Sequence, residues 1–246
     1  MAYAALRDDM VDSLEHDTKA VVSSTAVGEA MRTVPRHEFV DAEHRAYMDQ
    51  SFEHRGTTVL APSVAGLLLD ALDPQAGDDV LVVGAGVGYT TAVVAEIVGS
   101  EHVHAVDINR PVVYDARENL ERAGYGNVLV ECRDGADGLP EYAPYDRILL
   151  EAAAVQPPRA LRAQLADDGR VVFPRGAHGQ DLVAVEEDSE VETFGPVGFD
   201  PLLVEGEQHG TIVRNRTVRE EREHAARANQ RRKGWEHEWI DWDSQP

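Results

Sequence analysis

Three glycines at alternate positions, Gly84, Gly86 and Gly88, interrupt the apolar run VLVVGAGVGY at residues 80–89. Glycine in such a loop lets the backbone lie against a ligand that a Cβ would hold off. The nicotinamide fingerprint G-x-G-x-x-G needs a small residue at position 89, where Tyr89 stands. The G-x-G-x-G spacing suits S-adenosylmethionine instead, which has no pyrophosphate and so needs no anion site at the following helix. Two acids agree with that reading. Asp107 closes the next strand-like run, where its carboxylate can accept both ribose hydroxyls. Asp134, followed by Gly135, closes the third, where it can accept the adenine amino group. Strand-end acids also serve as helix caps, which is the ordinary alternative for both. Ala85 in the loop and Ile108 after Asp107 complete the expected cofactor contacts.

These residues need a scaffold that brings successive strand ends together. Strand-like runs are VLVV (80–83), HVHAV (102–106), NVLVEC (127–132), RILLEA (147–152) and RVVFP (170–174). Helical stretches at 90–98, 111–123 and 158–165 alternate with them, the first burying Val93, Val94, Ile97 and Val98. Such alternation predicts parallel strands with crossover helices in an open doubly wound sheet, whose ligand crevice lies at the carboxyl ends of the strands. After Pro174 the helices stop, and DLVAVEE and ETFGPVGFDPLLVE read as antiparallel closing strands. The first sixty residues look helical and irregular. In TAVGEAMRTVPRHEF, residues Ala26, Val27, Ala30, Met31 and Val34 share a helical face that Pro35 ends. A second helix starts near Pro62, turns Val64, Leu67, Leu68 and Leu72 inward, and stops at Asp73-Pro74.

The chain of 246 residues carries 45 acidic and 23 basic residues, a net charge of −22, and only Lys19 and Lys233 are lysines. A hydrated acidic surface nearly free of lysine predicts a protein of a high-salt cytoplasm, where self-repulsion is screened. The same balance speaks against a nucleic-acid partner. The single cysteine, Cys132, excludes an internal disulfide and a thiolate metal site, and it reads as the core end of a strand. Histidines 37, 54, 102 and 104 have no metal spacing, although His102 and His104 alternate along one predicted strand. The absence of a membrane-length apolar run and of a basic-then-apolar leader predicts a soluble cytoplasmic protein. Between Arg214 and Lys233 eight basic residues face three acidic ones, and Trp235, Trp239 and Trp242 then share a helical face. This reads as a C-terminal helix folded on its own acidic domain or at a dimer contact, the alternative being a docking helix.

Over residues 10–205 the chain resembles the protein-L-isoaspartate O-methyltransferase family. The motifs that carry the resemblance are AMRTVPRHEFV (30–40), AYMDQSF (46–52), EYAPYDRILLEAAA (141–154), QLADDGRVVFPRG (164–176) and FDPLL (199–203), the last like the family's closing strand. The resemblance implies a Rossmann-like methyltransferase fold. It divides the chain into a helical cap with a substrate loop (1–75), a cofactor-binding core (76–212) and a charged helical extension (213–246). It further implies methyl transfer from S-adenosylmethionine to the free α-carboxylate of isoaspartyl residues in damaged proteins, by a monomer or homodimer.

The chain departs from the family's pattern where that chemistry happens. The substrate loop T-I-S-x-P-[HY]-M appears here as TVLAPSV, Thr58 to Val64. Leu60 stands in place of the serine, and Ser63 in place of the His or Tyr. Thr58, Leu60 and Ser63 are therefore the acceptor-side candidates, with Thr57, Thr58 and Ser63 able to supply a hydroxyl from nearby. Val82 replaces the family's acid, Val87 its serine, and Glu151 the threonine before Ala-Ala-Ala. Glu151 can approach the sulfonium or the acceptor, or stand as a strand-end acid. A cofactor-binding protein without catalysis is the competing expectation. A nucleic-acid methyltransferase is the remoter one, since QPPR (156–159) lacks the aromatic of an [ND]-P-P-[FY] loop.

Overall fold

In the computed structural model of the chain, residues 2–41, 43–177, 179–186 and 189–203 are described. The predicted alternation folds into one seven-stranded sheet with a small separate hairpin. The hairpin comprises β1 (Phe52–His54) and β2 (Thr57–Val59). The sheet comprises β3 (Val80–Val83), β4 (Val103–Asp107), β5 (Leu129–Cys132), β6 (Tyr145–Leu150), β7 (Leu165–Arg175), β8 (Gln180–Glu186) and β9 (Ser189–Val197). Its order is β5-β4-β3-β6-β7-β8-β9. The first five strands are parallel, and β8 and β9 are added antiparallel. The sequence therefore had the doubly wound sheet and its antiparallel finish. The strand order reverses between β3 and β6, which puts the crevice over the carboxyl end of β3.

Helices α1 (Ala2–Glu15), α2 (Thr25–Thr33) and α3 (Pro62–Leu72) precede the sheet; α4 (Tyr89–Val98), α5 (Arg110–Ala123) and α6 (Arg159–Arg162) connect its strands. Met10, Leu14, Val27, Met31 and Leu68 of the first three share one buried cluster with Val80, Val82 and Val93. The N-terminal helices are thus packed into the same core as one face of the sheet. A second cluster, with Leu81, Val83, Ile148 and Phe173, fills the other face.

Several local expectations are corrected. Ala26 is exposed and Gly28 is buried in its place, while Val64, Leu67 and Ile97 are only half-buried. The helix expected over 158–165 is one turn long. The Gln164 amide ends it by accepting from Leu139 N–H and donating to the Asp137 and Ala160 carbonyls. Its backbone carbonyl takes the Tyr145 N–H, and Leu165 opens β7. His102 lies in a 3-10 turn, not on the strand, and meets Asp79 at 2.9 Å, whereas His104 stacks on Tyr142. Cys132 is exposed because β5 is the sheet's edge strand. FDPLL is not a strand. It leaves β9 and is tied back by the isolated bridge of Pro201 to Ala153 and by the Gln180 side chain of β8 at Phe199. The charged segment 214–233 and the tryptophan stripe lie outside the described residues.

Candidate active site

Three neighbouring strand ends build the site. In β4, β3 and β6 the register pairs Val83 with Val106 on one side and Leu150 on the other. Gly84, Asp107 and Glu151, each the next residue or nearly so, are thereby brought level at the carboxyl edge. The turn after β3 is held by the Gly84 and Ala85 N–H groups, both donating to the Val106 carbonyl. Asp107 is buried. Its Oδ2 accepts the Gly86 N–H at 3.0 Å and its Oδ1 the Asn109 N–H at 2.8 Å, so the glycine loop and the start of α5 share one carboxylate.

A cavity of about 370 Å³ opens above this edge. Gly84, Gly86, Asp107, Ile108, Gly135 and Glu151 line it from the sheet side, and Thr58 and Leu60 from the hairpin side. The volume lies within the usual range of small-molecule sites, roughly 300–1,000 Å³. Gly86 has φ +52°, and a Cβ on it would meet only the Gly84 carbonyl oxygen, at 3.9 Å. What that glycine leaves open is ligand space. A nucleoside with an amino-acid tail fits such a cradle, with a carboxylate at its sugar end and backbone along its length.

The remaining predicted residues fall elsewhere. Gly88 is the N-cap of α4 at φ +91°, where a Cβ would press on Leu120 at 3.3 Å, so its role is helix packing. Ala85 lines a smaller buried cavity behind the loop. Asp134 is not among the lining residues: its carboxylate accepts the Ala136 N–H at 2.8 Å and shapes the turn that presents Gly135. Ser63 is turned away. Its N–H bonds Asp49, and it borders an outer groove with Val64 and Leu67. Among the described residues no cluster of His, Cys, Asp and Glu can hold a metal.

Sequence reading missed two walls of the cavity. The hairpin turns through Arg55 (φ +46°) and Gly56 (φ +81°), the two left-handed positions of a tight hairpin turn. Arg-Gly is not the usual signal for it. The Arg55 conformation is held from outside, because Asp115 of α5 takes Arg55 Nε at 2.6 Å and His54 Nε2 at 2.8 Å. Asn109 adds a bond to the Arg55 carbonyl. The second wall is residues 198–203. There the Gln180 amide accepts the Phe199 N–H at 2.7 Å and donates to its carbonyl at 2.9 Å, fixing the segment across the crevice.

Electrostatically the cavity is acidic. Asp107, Glu151 and Asp200 line it, and among the described residues no lysine or arginine does. Glu151 has its N–H on the Val83 carbonyl, and its Oε1 is buried with no partner. Burial, opposed by a bond with Thr90 and reinforced by the charge of Asp107, pushes its carboxyl up to about 8.

Fold and crevice together define the class: a Rossmann-like methyltransferase. The solved structure of a protein-L-isoaspartate O-methyltransferase superposes with a TM-score of 0.69 at 27% identity, over 79% of this chain and 65% of that one. A beta-aspartate methyltransferase (PCMT) from Plasmodium falciparum in complex with S-adenosyl-L-homocysteine matches in fold, with a TM-score of 0.69 at 20% identity over 80% of this chain and 98% of that one. The family model described as protein-L-isoaspartate(D-aspartate) O-methyltransferase (PCMT) matches residues 6–203, and the chain belongs to that family. Among relatives, the protein-L-isoaspartate O-methyltransferase of Aeropyrum pernix is 45% identical over 190 residues, 75% of this chain and 72% of that protein. The one of Methanosarcina mazei is 39% identical over 206 residues, 80% and 83% respectively.

Proposed function

We infer that this protein transfers a methyl group from S-adenosylmethionine to the free α-carboxylate of L-isoaspartyl residues in damaged proteins. The observation that carries the reading is the single cavity that joins the Gly84–Gly86 cradle and Asp107 to the hairpin residues Thr58 and Leu60. When bound, the cofactor supplies an electrophilic methyl group on a positively charged sulfur. In this reading Asp107 accepts the ribose hydroxyls, and Gly84, Gly86 and Gly135 let the ligand lie on backbone. Ile108 packs beside the base, and Asp134 supports that end of the site through the Gly135 turn. The acceptor carboxylate ionises with a pKa of about 4 and needs no general base. One of its oxygens bonds the methyl carbon as the carbon–sulfur bond breaks, the electron pair stays on sulfur, and no proton moves. The chain's work is alignment and exclusion of water, with Thr58 orienting the acceptor and Leu60 closing the wall.

The same reading takes the protein as cytoplasmic, adapted to high salt, monomeric or homodimeric, and free of nucleic-acid substrates. What supports it is the net charge of −22 with two lysines, and the QPPR segment, which stands outside the cavity lining. Among the described residues no helix is long and apolar enough to cross a membrane. Leu60 favours a second reading, a cofactor-binding protein without transfer, because its side chain offers no donor to a carboxylate. Labelled methyl transfer to an isoaspartyl peptide in molar potassium chloride decides between them. Transfer to the isoaspartyl but not the aspartyl peptide supports the first reading; binding of S-adenosylhomocysteine without transfer supports the second.

A further inference from the structure

The main cavity and a buried one of about 20 Å³ share a wall made of Thr58, Leu60, Gly86 and Glu151. The small cavity can hold about one water. Three buried polar atoms without partners belong to residues lining it: Arg36 Nη1, the Tyr89 hydroxyl and Glu151 Oε1. Among the described residues Glu151 is thus the one acid that lines both cavities. Among the described residues nothing basic lines the main cavity to receive an anionic acceptor, and the Leu60 side chain offers no hydrogen bond.

We propose that Glu151 binds the acceptor carboxylate directly, carboxyl to carboxyl with one shared proton, and so supplies the donor that the Leu60 position lacks. This rests on the isoaspartyl reading above. Two facing carboxylates would repel, and one proton between them turns the pair into a strong hydrogen bond. Of the groups facing Glu151, the charge of Asp107 favours the protonated form, and the Thr90 hydroxyl and the Arg36 guanidinium oppose it. From β4, Asp107 adds negative charge, and from α4 the Thr90 hydroxyl makes the one bond that opposes it. Tyr89 also lines the small cavity, held up to about 12 by burial and therefore neutral. Arg36 lies across that cavity, and Asp200 enters the main one from segment 198–203. With burial as the largest influence the carboxyl rises to about 8, so it carries its proton at neutral pH. The proton stays on Glu151 through the transfer: the acceptor's other oxygen takes the methyl group, and the product ester still accepts the hydrogen bond.

The test uses the full chain loaded with S-adenosylhomocysteine and an N-acetylated isoaspartyl peptide, with affinity measured by calorimetry between pH 6 and 9 in high salt. Peptide affinity is expected to fall about tenfold per pH unit above pH 8, while affinity for S-adenosylhomocysteine stays level. Glu151→Gln keeps a donor and cannot ionise, so its peptide affinity is expected to be flat across that range. Wild-type peptide affinity that is level through pH 9, or a fall that persists in Glu151→Gln, overturns the proposal and leaves the isoaspartyl reading standing. Loss of S-adenosylhomocysteine affinity in step with the peptide assigns Glu151 to the cofactor and also overturns it. Absence of peptide binding and transfer by the wild type at every pH, with S-adenosylhomocysteine bound, overturns the isoaspartyl reading itself.

Discussion

The guanidinium of Arg36 donates from Nη2 to the Leu60 carbonyl at 2.6 Å and from Nε to the Ala46 carbonyl at 2.8 Å. The residue is completely buried, and its Cζ lies 4.5 Å from the centre of the Tyr89 ring. Tyr89 opens α4, directly behind the glycine loop. One side chain therefore ties the hairpin wall of the cavity to the helix that follows the glycine loop. Arg36→Ala leaves two buried carbonyls unpaired, and a loss of about 3–5 kcal/mol is expected in urea unfolding. Arg36→Lys is expected to recover less than half, because a point charge does not span two carbonyls in fixed directions.

Asp107 serves the backbone and the ligand site with the same two oxygens. Asp107→Asn replaces one acceptor by a donor that faces either the Gly86 or the Asn109 N–H. Affinity for S-adenosylhomocysteine is expected to fall about 10–100-fold by calorimetry, in line with a lost charge-assisted bond of roughly 1.5–3 kcal/mol.

Gly86 and Gly88 separate ligand space from packing. Gly88→Ala puts a Cβ on Leu120 at a left-handed backbone position, and thermal unfolding is expected to show a loss of about 1–3 kcal/mol. Gly86→Ala is expected to show a larger fractional loss of S-adenosylhomocysteine affinity than Gly88→Ala, since its methyl group stands in the cavity. Equal effects on binding would remove the distinction.

Ser63 looks like an acceptor group in the sequence and is held by Asp49 outside the cavity. Ser63→Ala is expected to leave methyl transfer within about threefold, whereas Thr58→Ala lowers kcat/KM for the isoaspartyl peptide about tenfold or more, the cost of one hydrogen bond in the site. Both are read in the same labelled-transfer assay.

Glu151 makes stability depend on pH with a definite sign. Its carboxyl is raised from 4.5 to about 8 in the folded chain, so the folded state holds the proton more tightly than the unfolded one. Its contribution is fully present below about pH 4.5 and is lost as pH rises to about 8. Unfolding free energies for the wild type are expected to decline across that window relative to Glu151→Gln, by about 5 kcal/mol in total. Parallel curves for the two proteins would show that Glu151 ionises normally.

The parts of the site legible in the sequence are those whose chemistry is local. A glycine at φ +52° or an acid that ends a strand carries its constraint in its own residue type, which is why the Gly84–Gly86 turn and Asp107 were readable. Continuous apolar runs alternating with helical patterns likewise predicted the parallel strands, since strands covered on both faces are apolar along their length. The short α6 was not readable, because it is ended by a Gln164 amide that bonds to Leu139 and Asp137 from a distant loop. The β1–β2 hairpin was hidden for a similar reason: Arg55 is a poor turn former that Asp115, sixty residues on, holds in place.

The sequence alone determined the doubly wound sheet, the glycine loop with its acid at 107, and the membership that the motifs spell out. Only the tertiary structure decided which candidates line the main cavity. It brought Leu60 and Glu151 to one wall, turned Ser63 to the outside, and gave Asp134 to a turn. It also drew residues 198–203 across the crevice. The physical reason is that residue type and spacing fix conformation over a few residues, whereas burial and the direction a side chain points depend on neighbours supplied by other strands.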